Sequence, residues 1–115
     1  MDTATKIERV GDAYLVLLSG EIDAFTAPSL RDDFHAVVAK DDASVVIVDL
    51  SAVTFLDSSA LGALVGLFRR LRERDAALRI VEPRTAASRI FELTGLDAVL
   101  DLYPDQDAAF NATTG

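Results

Sequence analysis

The sequence predicts an α/β fold: a mixed β-sheet of four to five strands with three to four packed helices. Apolar runs of strand character alternate with segments whose apolar residues repeat at helical spacing, in the order β-β-α-β-α-β-α-β, followed by one or two further helical turns. The first two strands are joined by Gly11-Asp12, a turn signal of β-hairpins. This hairpin makes the predicted sheet mixed rather than purely parallel.

The chain length of 115 residues fits one domain, which we expect to span residues 1–115. A domain of this size buries roughly two-thirds of the surface of its unfolded chain. Half of the residues are hydrophobic and 26% are charged, a composition typical of globular rather than disordered proteins. The sequence can therefore supply an ordinary hydrophobic core.

Composition also excludes several classes of function. The formal net charge of −8 argues against a nucleic-acid binder, which needs a cationic face, and against docking on an anionic membrane. The absence of cysteine excludes a disulfide scaffold and thiolate metal sites. A single histidine, His35, is too few for most zinc or iron sites. We therefore expect neither a metal nor another cofactor.

Targeting and membrane signals are missing from the sequence pattern. Residues 1–5 have neither the basic start nor the apolar core of a secretory signal peptide. The longest uncharged stretch, residues 58–68, has 11 residues, whereas a membrane-spanning helix needs about 20. These features predict a cytoplasmic protein without direct membrane insertion.

Five segments have strand character. The predicted strands are residues 7–10, 14–18, 45–50, 78–81 and 99–103. Residues 45–50 contain the run Val-Val-Ile-Val, which is the most β-rich tetrapeptide of the chain and indicates a central, parallel strand. Residues 51–57 are then predicted to form a loop.

Two helices follow from apolar residues at helical spacing. The first is predicted to begin near Thr26, with Pro28 in its first turn. Its apolar stripe consists of Leu30, Phe34, Val37 and Val38. The second is predicted to begin near Ser58. Its stripe consists of Leu61, Leu64, Val65, Phe68 and Leu71.

A third helix is predicted after the fourth strand, with Thr85 as its cap. Its inward residues are predicted to be Ala86, Ile90 and Leu93. Gly95 suits the position just after the helix, and Leu96 is expected to fold back on Phe91. Residues 105–110 are expected to add one or two helical turns.

Residues 55–62, Phe-Leu-Asp-Ser-Ser-Ala-Leu-Gly, place an acid and two hydroxyls where a strand and loop meet a helix. One interpretation is capping, because Asp and Ser are preferred N-cap residues that stabilise a helix by about 1 kcal/mol. Gly62 and Gly66 each cost about 0.5–1 kcal/mol relative to alanine inside a helix. Close packing on the sheet or a flat surface for a partner would account for them, and spacing alone leaves both open.

The same region carries a family resemblance. Residues 46–65, VIVDLSAVTFLDSSALGALV, resemble the signature of STAS domains, and more narrowly that of bacterial anti-sigma factor antagonists. Three further segments agree and follow in the right order: residues 18–23 (LSGEID), 26–31 (TAPSLR) and 90–96 (IFELTGL). This chain has Ala60 where the family most often has glycine. The resemblance covers nearly the whole chain and implies a single STAS domain with a STAS-like sheet.

The resemblance also implies a function. Such antagonists bind an anti-sigma factor, which is typically also a serine kinase, and so release the sigma factor that it holds. The kinase phosphorylates the serine after the motif aspartate, which corresponds to Ser58; the phosphorylated form no longer binds, and a phosphatase resets it. The implied partner-binding residues are Glu21, Asp23, Asp57, Ser59, Leu61 and Gly62.

Other readings of the motif stay open beside this one. A STAS subunit of a transporter or stress-signalling complex would keep the fold without phosphorylation, and Ser59 is a competing phosphate acceptor. An enzyme with Ser58 as nucleophile and His35 as base is disfavoured, because Gly-x-Ser-x-Gly is absent and the histidine lies on another helix. We expect no catalytic residues, and an acidic surface that favours a monomer.

Overall fold

A computed structural model describes residues 4–40, 42–82 and 89–112. The strands in this part of the chain are β1 (Ala4–Val10), β2 (Ala13–Ile22), β3 (Val45–Leu56), β4 (Ala77–Val81) and β5 (Asp101–Tyr103). The helices there are α1 (Ala27–Ala39), α2 (Ser58–Glu73), α3 (Arg89–Thr94) and α4 (Gln106–Asn111), with a 3₁₀ turn at Leu96–Ala98. The predicted α/β alternation is confirmed.

The strands form one sheet in the order β1-β2-β3-β4-β5. β1 and β2 are the antiparallel hairpin, whereas β2, β3, β4 and β5 run parallel to one another. The sheet is therefore mixed, and residues 45–50 lie in its central strand, as predicted. The carboxyl ends of β2 and β3 meet at one edge of the sheet, which we name the upper edge.

The central strand is longer than predicted. Residues 51–56 continue β3 rather than starting a loop, because β2 itself runs on to Ile22 and keeps pairing with them. The pairing ends with Glu21 opposite Phe55 and Ile22 opposite Leu56, after two register shifts. This extension brings the end of β2 beside the start of α2.

One face of the sheet packs against α1 and α2. The predicted stripe of α1 is confirmed for Leu30, Phe34 and Val37, which are all buried, while Val38 is half-buried. The stripe of α2 is shifted from the prediction. Its buried residues are Ala60, Leu61, Ala63, Leu64, Leu67 and Leu71, whereas Val65 and Phe68 are only half-buried.

The opposite face carries a second, smaller core. It is formed by Leu15, Ile47, Val81 and Ala109. Two buried polar residues of the sheet attach α4 to this face: the carboxylate of Asp49 accepts a 2.6 Å hydrogen bond from the Gln106 amide, and the Arg79 guanidinium donates to the Ala109 carbonyl over 2.9 Å. Side-chain hydrogen bonds thus fix a helix of only six residues.

The third helix orients differently from the prediction. Phe91 is fully buried, while Leu93, predicted to face inward, is 77% exposed. Residues two apart on a helix point to opposite sides, so the burial of Phe91 turns Leu93 outward. Gly95 has a left-handed backbone at φ 76°, as a residue after a helix requires. The predicted cap Thr85 and the predicted inward Ala86 lie outside the described residues.

The last strand is shorter than predicted. β5 begins at Asp101 rather than at residue 99, and Val99 is 53% exposed. The preceding 3₁₀ turn extends through its Val99 cap, whose N–H donates to the Leu96 carbonyl over 3.0 Å. The turn therefore uses backbone groups that a longer strand would need. The final helix lies close to the predicted turns and is capped by Asp105.

Candidate functional site

The upper edge joins two segments that are far apart in sequence. The main-chain N–H of Asp57, just after β3, donates to the carbonyl of Ile22, the last residue of β2, over 3.2 Å. Glu21 and Asp23 flank that carbonyl, and Ser58 follows Asp57 directly. The structure therefore brings the acidic segment of residues 21–23 beside the first turn of α2.

Asp57 is the cap of α2. Its carboxylate accepts hydrogen bonds from the main-chain N–H groups of Ser59 at 2.9 Å and Ala60 at 3.1 Å. Its carbonyl accepts the first intrahelical bond, from Leu61, at 3.1 Å. The capping interpretation thus holds for the aspartate, and neither serine is needed for it.

The two serines of the motif differ in exposure. Ser58 is exposed, and Ser59 is half-buried. Within the described part of the chain, the Ser58 hydroxyl has no hydrogen-bond partner. An exposed hydroxyl without a structural role is a suitable acceptor for a transferred group.

A tight turn leads from the end of β2 into α1. The Asp23 carboxylate accepts from the main-chain N–H groups of Phe25 at 2.9 Å and Thr26 at 3.2 Å. In return, the Thr26 hydroxyl accepts from the Asp23 N–H at 2.9 Å. Thr26 occupies the predicted cap position of α1, but its hydroxyl makes no cap hydrogen bond to the helix. These reciprocal bonds fix the shape of the turn.

Two aromatic side chains near the upper edge are unusually exposed. Phe25, in the turn, is 95% exposed, and Phe55, near the end of β3, is 48% exposed. Neither residue is among those that the sequence predicts to bind a partner. An aromatic residue inside a polar connection such as Glu-Ile-Asp-Ala-Phe-Thr is the signal that could have identified Phe25.

A model of the STAS domain family matches residues 4–109. The chain belongs to the STAS domain family. The resemblance inferred from residues 46–65 is thereby confirmed, and the match covers the five strands found in the described residues of this STAS domain.

Relatives of this STAS domain have names that refer to regulation of sigma factors. An anti-sigma-B factor antagonist of Listeria monocytogenes is 35% identical over 95 residues, which cover 83% of this chain and 82% of the relative. An anti-sigma factor antagonist from Mycobacterium paratuberculosis is 37% identical, with a TM-score of 0.90 over 99% of this chain and 96% of that chain. Unphosphorylated SpoIIAA, 18% identical, shares the fold with a TM-score of 0.71 over 93% and 94% of the two chains.

The residues expected to bind a partner differ in accessibility within the STAS fold. Glu21 and Gly62 are exposed, and the remaining polar positions, Asp23, Asp57 and Ser59, are half-buried. Leu61 does not fit the expectation of a contact residue, because its side chain is 4% exposed and belongs to the core between sheet and helices. Leu61 therefore supports the helix from below, and the accessible positions form the candidate face.

The two glycines of α2 do not pack tightly on the sheet. Outside the backbone of its own helix and its two chain neighbours, a Cβ at Gly66 would meet no described atom within 4 Å. A Cβ at Gly62 would lie 3.2 Å from the Nη2 atom of Arg31, which reaches over from α1. Close packing on the sheet is therefore not the reason for either glycine, and Gly62 instead leaves room for an arginine side chain.

The described residues of this STAS domain contain no group of three or more histidine, cysteine or acidic side chains able to hold a metal ion. His35 is exposed on α1, where it lines a cleft between α1 and α2 together with Gly66 and Arg70. No helix among residues 4–40, 42–82 and 89–112 is long and apolar enough to cross a bilayer.

Proposed function

We propose that this STAS domain is an anti-sigma factor antagonist that binds an anti-sigma factor while Ser58 is unphosphorylated, and so frees a sigma factor. Phosphorylation of Ser58 by the anti-sigma factor, acting as a serine kinase, ends the binding. One observation carries the proposal: Asp57 caps α2 through its side chain, and the exposed hydroxyl of Ser58 has no hydrogen-bond partner among the described residues. The 35% identical Listeria relative has the name of such an antagonist.

Ser58 is a better acceptor than Ser59 on geometric grounds. A kinase must bring its catalytic groups to the hydroxyl from solvent, and Ser58 is exposed while Ser59 is half-buried. The N–H of Ser59 also donates to the Asp57 carboxylate, which holds that residue against the cap.

A phosphate at Ser58 opposes binding without opposing folding. The start of a helix carries a partial positive charge, so an added anion there is mildly favourable, by about 0.3–1 kcal/mol. At an interface, an unpaired phosphate with about −1.5 to −2 charges would have to leave water, which costs several kcal/mol. Since 1.4 kcal/mol is tenfold in affinity, one modification suffices as a switch.

The proposed binding face has an acidic rim and an aromatic projection. Glu21, Asp23 and Asp57 supply the carboxylates around Ser58, and Phe25 projects from the fixed turn. A matching partner surface carries basic side chains opposite the acids and an apolar pocket for the ring. Gly62 extends the face along α2 without a side chain.

The remaining parts of the proposal follow from the switch. A phosphatase is needed to restore the binding form, and the protein acts as a regulator, not as an enzyme. The high negative charge of the chain favours a monomer that meets its partner as a single copy. Its place of action is the cytoplasm, because the sigma factor that it releases works there on transcription.

A kinase assay tests the proposal, with phosphate transfer detected by mass spectrometry of the intact protein. The full chain is incubated with ATP and the cognate anti-sigma kinase, and we expect a gain of one phosphate on the wild type and on Ser59→Ala. Ser58→Ala should gain no phosphate. In the absence of ATP it should still bind the kinase as well as the wild type does. Phosphate on Ser59 would move the switch by one residue. Undiminished binding by a fully phosphorylated chain would overturn the switch and favour a scaffold or transporter subunit.

A further inference from the structure

The side chain of Arg31 crosses from α1 to α2. Its Nη2 atom lies 3.2 Å from the position that a Cβ of residue 62 would occupy. Because Gly62 has no side chain, the guanidinium rests directly on the exposed surface of α2. A cation is thereby placed over the first turns of the helix that begins with Ser58.

Ser58 and Gly62 are neighbours on the same helical surface. They are four residues apart, and Cβ atoms at this spacing are about 5–6 Å apart. The Arg31 guanidinium therefore lies within about 9 Å of the Ser58 Cβ. A phosphoryl group extends outward from that Cβ and shortens the remaining distance to a guanidinium on a long, flexible side chain.

Arg31 is not engaged elsewhere. In the described ranges, its guanidinium forms no ion pair and no hydrogen bond, although Asp32 and Asp33 follow it on α1. The basic residues of α2 itself are at the other end of the helix; Arg70 is 12 residues from Ser58, or about 18 Å along the axis. Among the described residues, Arg31 is thus the cation that lies against the first turns of α2.

We propose that Arg31 pairs with the phosphoryl group of phosphorylated Ser58. The proposal rests on the proposed function, since it takes Ser58 as the modified residue. A planar guanidinium binds phosphate oxygens through two parallel N–H donors, which fixes both distance and direction. The pair holds the phosphate over α2, on the face that would meet the partner, so that rotation of the serine side chain cannot clear the interface.

The second ionisation of the phosphoserine measures this pair directly. The full chain is prepared with phosphoserine incorporated at position 58 during translation, so that no kinase is needed, and its phosphorus resonance is followed against pH. Arg31→Gln should raise the second pKa of the phosphate by about 0.3–0.7, because a nearby cation favours the dianion. Glu21, Asp23 and Asp57 on the strand ends and His35 on α1 are present in all variants, and the difference therefore isolates Arg31.

Arg70→Gln is the matched control. It removes the same charge from the same cleft between α1 and α2, but far from the phosphate, and its titration curve should superimpose on the wild type. Equal curves for Arg31→Gln and wild type, or equal shifts in both variants, would overturn the pairing.

Failure of the pair is distinguishable from failure of the phospho-switch. Failure of the Arg31 pair would appear in the titration of the chain that carries phosphoserine from translation. Failure of the phospho-switch would appear in the kinase and binding experiments above. Thermal melting of the unphosphorylated Arg31→Gln variant checks the fold. We expect its melting temperature to match the wild type, because the exposed Arg31 has no partner among the described residues to lose.

Discussion

The N–H of Asp57 donates to the carbonyl of Ile22 across 3.2 Å, which ties the residue before Ser58 to the end of β2. The turn after Ile22 is itself fixed by hydrogen bonds between Asp23 and Thr26. These hydrogen bonds hold the acidic turn beside Ser58. A partner that contacts the turn must also approach Ser58, so a phosphate there affects the whole contact.

Ser58→Asp is expected to fold like the wild type and to bind the anti-sigma factor at least about tenfold more weakly, or roughly 1.4 kcal/mol. The carboxylate is tolerated at the helix start but must lose water at the interface. Calorimetric titration measures the affinity, and thermal melting monitors the fold. Ser58→Ala is the matched neutral variant and should bind normally. Equal binding by the Asp and Ala variants would contradict the charge mechanism.

Asp57→Ala is expected to lower the free energy of unfolding by about 1 kcal/mol, because two main-chain N–H groups lose their acceptor. Asp57→Asn should keep most of the stability, since asparagine caps a helix about as well as aspartate. Chemical denaturation of both variants separates the cap from the charge. A loss of stability that is equal in the two would show that the charge, and not the cap, is what matters.

Phe25→Ala is expected to leave stability unchanged and to weaken partner binding about tenfold or more. The ring is 95% exposed, so its removal opens no cavity, and aromatic side chains including phenylalanine are enriched at protein interfaces. Leu93→Ala is the control, because Leu93 is a 77% exposed apolar residue on α3, outside the proposed face. Titration against the anti-sigma factor should separate them, and equal affinities would remove Phe25 from the interface.

Gly66→Ala is expected to raise the free energy of unfolding by about 0.5–1 kcal/mol. Alanine is the better helix former, and beyond its own helix the new methyl group meets no described residue within 4 Å. Gly62→Ala should gain less, because its methyl group pushes on the Arg31 guanidinium. Urea denaturation compares the two. Destabilisation by Gly66→Ala would contradict the prediction that this position has room for a methyl group.

Acid should weaken the contact of Asp42 with Arg9 and Tyr14, near the start of β2. A hydrogen bond from Arg9, and to a lesser extent one from Tyr14, holds the pKa of the Asp42 carboxyl below its ordinary value of 3.8. The stabilisation is therefore fully present above pH 3.8 and is lost as the pH falls through the lower, folded pKa. The difference in urea midpoint between wild type and Asp42→Asn should shrink from pH 7 to pH 3. A constant difference would contradict the assignment.

Local chemistry accounts for the parts of the fold that the sequence predicted. The apolar run at residues 45–50, the start of α2 at Ser58 and the left-handed Gly95 each depend on neighbouring residues, and all three are found. The continuation of β3 through residues 51–56 depends instead on pairing with the far end of β2, across two register shifts. A long-range partner of that kind leaves no signal in the local sequence.

The same division holds for the candidate site. The sequence motif predicted Asp57 and Ser58, because both helix capping and the family resemblance can be recognised in a short stretch of adjacent residues. The exposure of Phe25 and the position of Arg31 over Gly62 depend on how α1 and its preceding turn lie against α2. Both features are determined by the packing of the two helices, which cannot be predicted from the residue pattern of either helix alone.

The attachment of α4 makes one side of the sheet depend on the end of the described chain. In the described part of the chain, α4 contributes Ala109 to the small core that contains Leu15, Ile47 and Val81, and hydrogen bonds from Gln106 and to Ala109 hold the helix in place. Proteolytic cleavage between β5 and α4 would allow α4 to dissociate from this face of the sheet. The cut molecule would present a bare apolar strip on its central strands, and such strips drive self-association and aggregation.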